Sequence, residues 1–266
     1  SRLESCCERC FSFSANDRGT AETNTEWTGG SADANVVVDT NPATGTAVAE
    51  LSETNLEALP QMLAKAREAQ AIWAAKSFKE RARHIQMMRS YIVDRADDLA
   101  RTVSESNGKT LTDALATEVL PCALACKWYA KNAEHYLKER NRPAGSILFF
   151  NKRTHMLRVP LGVVGIISPW NYPLSIPFGE IVMALMAGNG VMLKVAAATP
   201  AVGRAIEQIV AAGELPEGLF QHIVGSGSKV ATGFFDNGID KLFFTGSVPA
   251  GKTLMAQAAQ TLTPVS

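Results

Sequence analysis

Gly162-Val-Val-Gly-Ile-Ile-Ser-Pro-Trp-Asn-Tyr-Pro173 is the stretch that decides how this chain folds. The run from Gly162 to Ile167 is apolar, rich in β-branched residues and free of polar alternation. Such a run reads as a strand buried on both faces, as in a parallel sheet covered by helices. It stops at Ser168-Pro169, because Pro cannot donate to a strand ladder and pushes the residue before it out of helical geometry. Trp170, Asn171 and Tyr172 then sit between two prolines, at a rigid corner beyond the strand's carboxyl end. Ligands of open α/β sheets collect at such ends. Taken alone, the segment reads equally well as a turn with a core Trp.

Downstream of this corner, strand and helix patterns alternate. Strands are expected at Val163–Ile167, Val191–Leu193, Gln221–Val224 and Lys241–Phe244. Helices are expected at Phe178–Ala187, Ala201–Ala212, a short piece from Lys229, and Ala250–Gln260. A βαβαβαβ order implies an α/β fold with a parallel, Rossmann-like sheet.

Upstream, the pattern is helical. Asn35 to Ala49 reads as extended pieces around the turn Asn41-Pro-Ala-Thr-Gly45. Thr54 is expected to cap a helix with Leu56, Leu59, Leu63, Ala66, Ile72 and Trp73 on its apolar face. A second helix is expected from Phe78 to Ser106, with Ile85, Met88, Ile92, Leu99 and Val103 on one side. A third runs from Leu111 to Arg140 and should kink or break at Pro121. Arg140 to Pro143 reads as a breakpoint. Ser146–Phe150 and Thr154–Val159, joined by Asn151-Lys-Arg153, read as a β-hairpin spanning 145–159. An isolated hairpin is marginally stable in water, so it needs something to lie against.

The chain has 266 residues, enough for one large domain or two small ones. Lys+Arg and Asp+Glu both number 26, so the net charge is zero and no long-range field draws nucleic acid or an anionic membrane. The apolar runs are too short for a membrane span. Residues 1–35 are rich in Ser, Thr, Asn, Gly and Glu without periodicity, and read as a disordered or non-native tail. Three of the five cysteines, Cys6, Cys7 and Cys10, lie there. A zinc site would need a fourth ligand, and no nearby His or Cys stands at motif spacing. Cys122 and Cys126, spaced i,i+4 on a helical face, read as small core residues. An odd cysteine count in an enzyme-like chain suggests a reducing, cytoplasmic location.

Two loops could cradle a phosphate. Gly225-Ser-Gly227 follows an apolar strand and precedes a helical stretch, yet Val230 stands where a dinucleotide fingerprint wants its third small residue. Phe244-Thr-Gly-Ser247-Val-Pro-Ala-Gly251 also leads from a strand into a helix, and Pro249 suits a first helical turn. Free N–H groups, the helix dipole and the Ser247 hydroxyl make an anion site there. Lys194 ends a strand, where a lysine is ordinarily just solvated.

The corner segment, with Phe178-Gly-Glu, Ala187-Gly-Asn-Gly190, Leu193-Lys194, Thr199-Pro200 and Phe244-Thr-Gly-Ser247 in this order, resembles the NAD(P)-dependent aldehyde dehydrogenase superfamily. The resemblance runs from about Asp39 to the end of the chain. It implies a helical amino-terminal region followed by the Rossmann-like sheet of that family, here incomplete. It implies that Asn171 donates its amide to the substrate oxyanion, a role worth about 2.7–4 kcal/mol. It implies cofactor contacts, to NAD or NADP, from Ile167, Ser168, Trp170, Lys194, Gly225, Gly227, Phe244, Thr245, Gly246 and Ser247. The 244–247 loop would touch the phosphates and the 225–227 loop would lie near the adenine. Trp170 would line the cofactor channel and pack the core. The hairpin would be an arm laid on a neighbouring subunit of a homo-oligomer.

Two departures stand out. After Lys194 the family usually has Pro, and a Glu three residues on; this chain has Val195-Ala-Ala-Ala198. A carboxylate at position 197 would accept two ribose hydroxyls and repel a 2′-phosphate. Its loss removes about 1–3 kcal/mol of charge-assisted hydrogen bonding. Weak cofactor binding with little preference for NAD over NADP is the expectation. Pro249 stands where many relatives carry an acidic residue. The family's general-base Glu and nucleophilic Cys lie just beyond Ser266, so residues 36–266 are expected to be a truncated dinucleotide-binding domain. The full reaction would oxidise an aldehyde to an acid, and this chain alone would be inactive. The alternative is a non-catalytic dinucleotide-binding or subunit-interaction module.

Overall fold

The computed structural model describes residues 36–142, 145, 146, 148 and 150–266. The tail, its three cysteines, and Ile147 and Phe149 of the expected hairpin lie outside the described residues.

Strand β1 (Val36–Thr40) pairs antiparallel with β2 (Ala47–Ser52) around the Asn41–Gly45 turn, where Asn41 Oδ1 accepts the Ala43 N–H at 2.9 Å. Helices α1 (Leu59–Ala74), α2 (Phe78–Asp94) and α3 (Ala96–Asn107) follow. Next come α4 (Leu111–Ala114), a π-helical turn (Leu115–Val119) and α5 (Leu120–Leu137). A small ladder, β3 (Arg140–Arg142) with β4 (Thr154–Met156), precedes the main sheet. That sheet alternates β5 (Val163–Ile167), α6 (Ser175–Met186), β6 (Gly190–Lys194), α7 (Pro200–Ala211), β7 (Phe220–His222), α8 (Gly227–Asp236), β8 (Lys241–Phe244) and α9 (Val248–Thr261).

The four strands are parallel in the order β7-β6-β5-β8. The order reverses between β5 and β8, which makes their carboxyl ends the switch point where ligands of such sheets bind. Beyond β8, Pro264 and Ser266 continue the ladder: Leu242 N–H donates to the Pro264 carbonyl at 2.9 Å, and Phe244 N–H to that of Ser266 at 2.9 Å.

Every residue of β5 and β6 is buried, as their uninterrupted apolar runs require. Strand alternation divides the core. Val164, Ile166, Val191 and Leu193 pack on the face covered by α6 and α7, with α2 and α5 behind them. Val163, Ile167, Met192 and Leu242 pack on the face covered by α1, α8 and α9. Helix α1 passes between the two: Leu59, Leu63 and Ala66 join the second cluster, Ala69 and Trp73 the first.

The upstream region departs from the sequence reading in several places. Thr54 is not a helix cap. Its hydroxyl accepts the Val224 N–H at 3.0 Å, and Asn55 caps the short 3-10 turn Leu56–Ala58 instead. Ile72 is 63% exposed, because Ala69 and Trp73 already turn the other side of α1 inward. The helix expected over 78–106 is two, broken at Arg95 (φ −114°, ψ 24°) without a Gly or Pro to mark the break.

Pro121 does not break the helical run. It has no N–H for the Thr117 carbonyl, and the backbone widens into the π turn, with Leu120 N–H donating to the Leu115 carbonyl. The hairpin is shifted: Arg140↔Met156, Asn141↔His155 and Arg142↔Thr154 are paired, so the supposed breakpoint is the first strand. Leu148 and Phe150 lie in the connecting loop, 81% and 86% exposed. Nothing in the described chain covers that loop, so its apolar residues do not select the register.

Candidate functional site

Three strand ends meet at the switch point. Ser168 N–H donates to the Lys194 carbonyl at 3.1 Å, joining β5 to β6; Thr245 N–H donates to the Ile167 carbonyl at 3.1 Å, joining β8 to β5. Above them opens a cleft of about 690 Å³. Its walls are the corner Ile167–Asn171, the β6 exit with Lys194, Ala196 and Ala197, the first turn of α8, the loop Phe244–Ser247, and α9.

Of the residues singled out from sequence, Ile167, Ser168, Trp170, Asn171, Lys194, Gly227, Phe244, Thr245, Gly246 and Ser247 all line this cleft. Gly225 does not; it borders a small separate cavity with Val37, His222 and Val224. Trp170 lines the mouth but does not pack the core, being 62% exposed: the two flanking prolines hold the corner out from the sheet.

Asn171 is exposed, and its Oδ1 accepts the Tyr172 N–H at 3.0 Å. That bond holds the side chain and leaves its amide NH₂ without a partner among the described residues. Ser247 caps α9, accepting the Ala250 N–H at 3.4 Å, and Pro249 occupies the first helical turn. The Ser247 O–H proton stays free to donate. The Phe244 ring packs where a β-carbon on Gly246 would lie at 2.5 Å, so only glycine lets the loop fold back over that ring.

A supporting network beneath the corner had no signal in the sequence. Asn107, at the end of α3, donates to the Trp170 carbonyl at 2.6 Å. Glu118, fully buried in the π turn, accepts the N–H groups of Leu174 and Ser175 at 3.2 and 2.8 Å. Its other oxygen pairs with Lys109, whose ammonium lies 3.9 Å from the Tyr172 ring centroid. The described thiols stand apart: Cys122 and Cys126 are buried in α5, where burial pushes both thiols up, that of Cys126 to about 12. Neither lines the cleft.

The sequence profile described as the aldehyde dehydrogenase family matches residues 27–266. The chain belongs to the aldehyde dehydrogenase family. The match begins inside the stretch read from composition as a tail. A 4,4′-diapolycopene aldehyde oxidase from Methylomonas sp is 34% identical over 207 residues, 78% of this chain and 39% of that protein. Among solved structures, an aldehyde dehydrogenase from Brucella melitensis biovar abortus 2308 superposes with a TM-score of 0.82 at 30% identity, covering 87% of this chain and 47% of that one. An E. coli NADP dependent enzyme gives 0.82 at 29% identity with the same coverage. The chain thus spans less than half the length of each of these three proteins.

Proposed function

We propose that this chain forms the dinucleotide-binding part of an enzyme that oxidises an aldehyde to a carboxylic acid with NAD or NADP. The observation behind this reading is the convergence of Asn171, Lys194 and the Phe244–Ser247 loop on one cleft at the sheet's switch point. The cleft is large enough for an extended ligand, and its floor offers open backbone donors at two helix starts. Bound there, the nicotinamide supplies a hydride acceptor for the substrate carbon.

The chain's own residues do the rest of what this half of the site can do. The amino end of α9 and the Ser247 hydroxyl hold the pyrophosphate. Trp170 shields the mouth from water. Asn171 donates to the carbonyl oxygen, and the gain grows as negative charge develops on it. Attack by a thiolate and release of the acid by an activated water need a Cys and a carboxylate, and neither residue type lines the cleft among the described residues. The 266-residue chain therefore binds the dinucleotide without turning over aldehydes, which favours a binding module as the behaviour of this chain by itself. The protein works as a homo-oligomer in the cytoplasm, with the arm around β3 and β4 as its contact.

Trp170 supplies the test. Dinucleotide binding should quench its emission, and Trp170→Phe should remove the quench without abolishing binding measured by calorimetry. Activity assays on short aliphatic and aromatic aldehydes should stay blank. Turnover by the pure chain would refute the absence of a nucleophile; no heat with either dinucleotide would refute the cleft as a cofactor site.

A further inference from the structure

The chain is neutral in total, but its charge is unevenly spread. Residues 127–158 hold eight Lys or Arg and two Glu, a net +6 in a chain whose basic and acidic residues both number 26. The zero total therefore conceals a basic face, and the expectation that nothing here attracts an anionic membrane fails locally.

This segment runs from the second half of α5 through β3 and β4. Lys127, Lys131 and Lys138 recur at helical spacing on one stripe of α5, and all three are exposed. Arg140 and Arg142 stand opposite Met156 and Thr154 in the ladder and share a face with them. Lys152 and Arg153 end the connecting loop and Arg158 follows β4, all exposed. None of these eight makes an ion pair among the described residues. Of the two acids, Glu139 lies 2.6 Å from His155, which leaves Glu134.

Apolar side chains are interleaved with the charges. Leu148 and Phe150 precede Lys152 and Arg153, and Leu157 and Val159 flank Arg158, all four exposed. On α5 the exposed rings of Trp128 and Tyr136 stack at 5.8 Å, and such rings favour the headgroup level of a bilayer. The ladder itself is exposed except at half-buried Arg140. A two-stranded ladder without cover is marginal in water, so it gains from a surface to lie on. A nucleic acid would take the charges and leave the four apolar side chains in water. A second copy could seat the apolar tip, yet a patch-to-patch contact sets like charge on like charge. An anionic lipid surface takes both together.

We propose that the end of α5 and the β3–β4 arm dock on an anionic lipid bilayer, with Leu148, Phe150, Leu157 and Val159 entering the acyl boundary and the basic side chains lying among the headgroup phosphates. This role is independent of the dinucleotide cleft.

The test is sedimentation of the full chain with sucrose-loaded vesicles of phosphatidylcholine alone and of equal parts phosphatidylcholine and phosphatidylserine. Each basic side chain near the surface is worth about fivefold in partitioning, so the anionic vesicles should bind the chain more than about tenfold better. Raising the salt from about 0.1 M to about 1 M should release most of it. Lys152→Glu/Arg153→Glu should weaken binding more than about tenfold, and Leu148→Ser/Phe150→Ser should weaken it too while the dinucleotide affinity stays unchanged. All four positions are exposed, so the folded core does not depend on them, and thermal melts of the variants should match the parent. Equal binding to both vesicle types, no binding to either, or binding indifferent to both variants overturns the lipid surface. A single-stranded RNA that binds where vesicles do not, or an oligomer that Lys152→Glu/Arg153→Glu dissociates while vesicles stay bare, also overturns it and hands the patch to that partner.

Discussion

Glu118 reaches from the π-helical turn to the first residue of α6, where its Oε2 accepts the Ser175 N–H at 2.8 Å. The Leu174 N–H, at 3.2 Å, shares the same oxygen, so one carboxylate closes the amino end of the helix that follows the Trp170–Tyr172 corner. A carboxylate at a helix start also complements the dipole. Lys109 holds the other oxygen and lies over Tyr172, tying both flanks of the corner to one buried charge pair.

Removing that carboxylate should be severe. Glu118→Ala leaves Lys109 without its carboxylate and one buried and one half-buried N–H without acceptors, a change that costs about 3–5 kcal/mol. Urea denaturation followed by far-UV circular dichroism reads it directly. A loss under 1 kcal/mol would mean that the corner does not depend on this pair.

Glu180, on α6, carries the opposite sign. Burial raises its carboxyl from 4.5 to about 7, and its Oε2 has no partner among the described residues. Between those two values the folded chain holds a proton that the unfolded chain releases. Stability from this group therefore falls as pH rises from about 4.5 to about 7 and stays low above that. Glu180→Gln should remove the slope: equal to the parent at pH 4.5, and more stable by up to about 3 kcal/mol at pH 8. Thermal melts across that range would show a pH-independent difference if the side chain were solvated instead.

Gly165 sits in the middle of β5 with the face of α8 directly above it. A β-carbon there would lie 2.9 Å from Phe234 Cδ2 and 3.2 Å from Leu242 Cδ1. Gly165→Ala should cost about 1–3 kcal/mol by overpacking. The paired variant Gly165→Ala/Phe234→Leu should recover part of the loss, and denaturation of both proteins checks the coupling.

The loop between β3 and β4 should drive self-association. Leu148 and Phe150 are exposed there, and Leu157 and Val159 just beyond β4, more than a solvated turn requires. Sedimentation velocity at micromolar concentration should show oligomers or larger species. Replacing Leu148 and Phe150 together by Glu should shift the distribution towards monomer. A parent protein that sediments as a sharp monomer would refute this role for the arm.

The four parallel strands and the helices between them were legible because an apolar run without alternation has one stable home, a sheet covered on both faces. Val163–Ile167 and Lys241–Phe244 appear with the boundaries read from sequence. The helical region was read less well. Its failures have more than one cause: at Thr54 a distant partner, the Val224 N–H, claims the hydroxyl, and at Pro121 a local π turn absorbs the proline that periodicity would have used as a break.

Within the cleft the division is similar. Strand ends and prolines place Asn171, Lys194 and the 244–247 loop at carboxyl termini of the sheet, and the resemblance to the aldehyde dehydrogenases singled them out there. Glu118, Lys109 and Asn107 could not be named in advance, since they act from the end of α3, the loop after it and the π turn, far away in sequence, and a buried carboxylate leaves no periodic trace. Local chemistry likewise showed that position 197 lacks an acceptor. Only the packed fold set the Lys194 ammonium against the open amides of α8, because a side chain's desolvation and its nearest donors depend on which elements close over it.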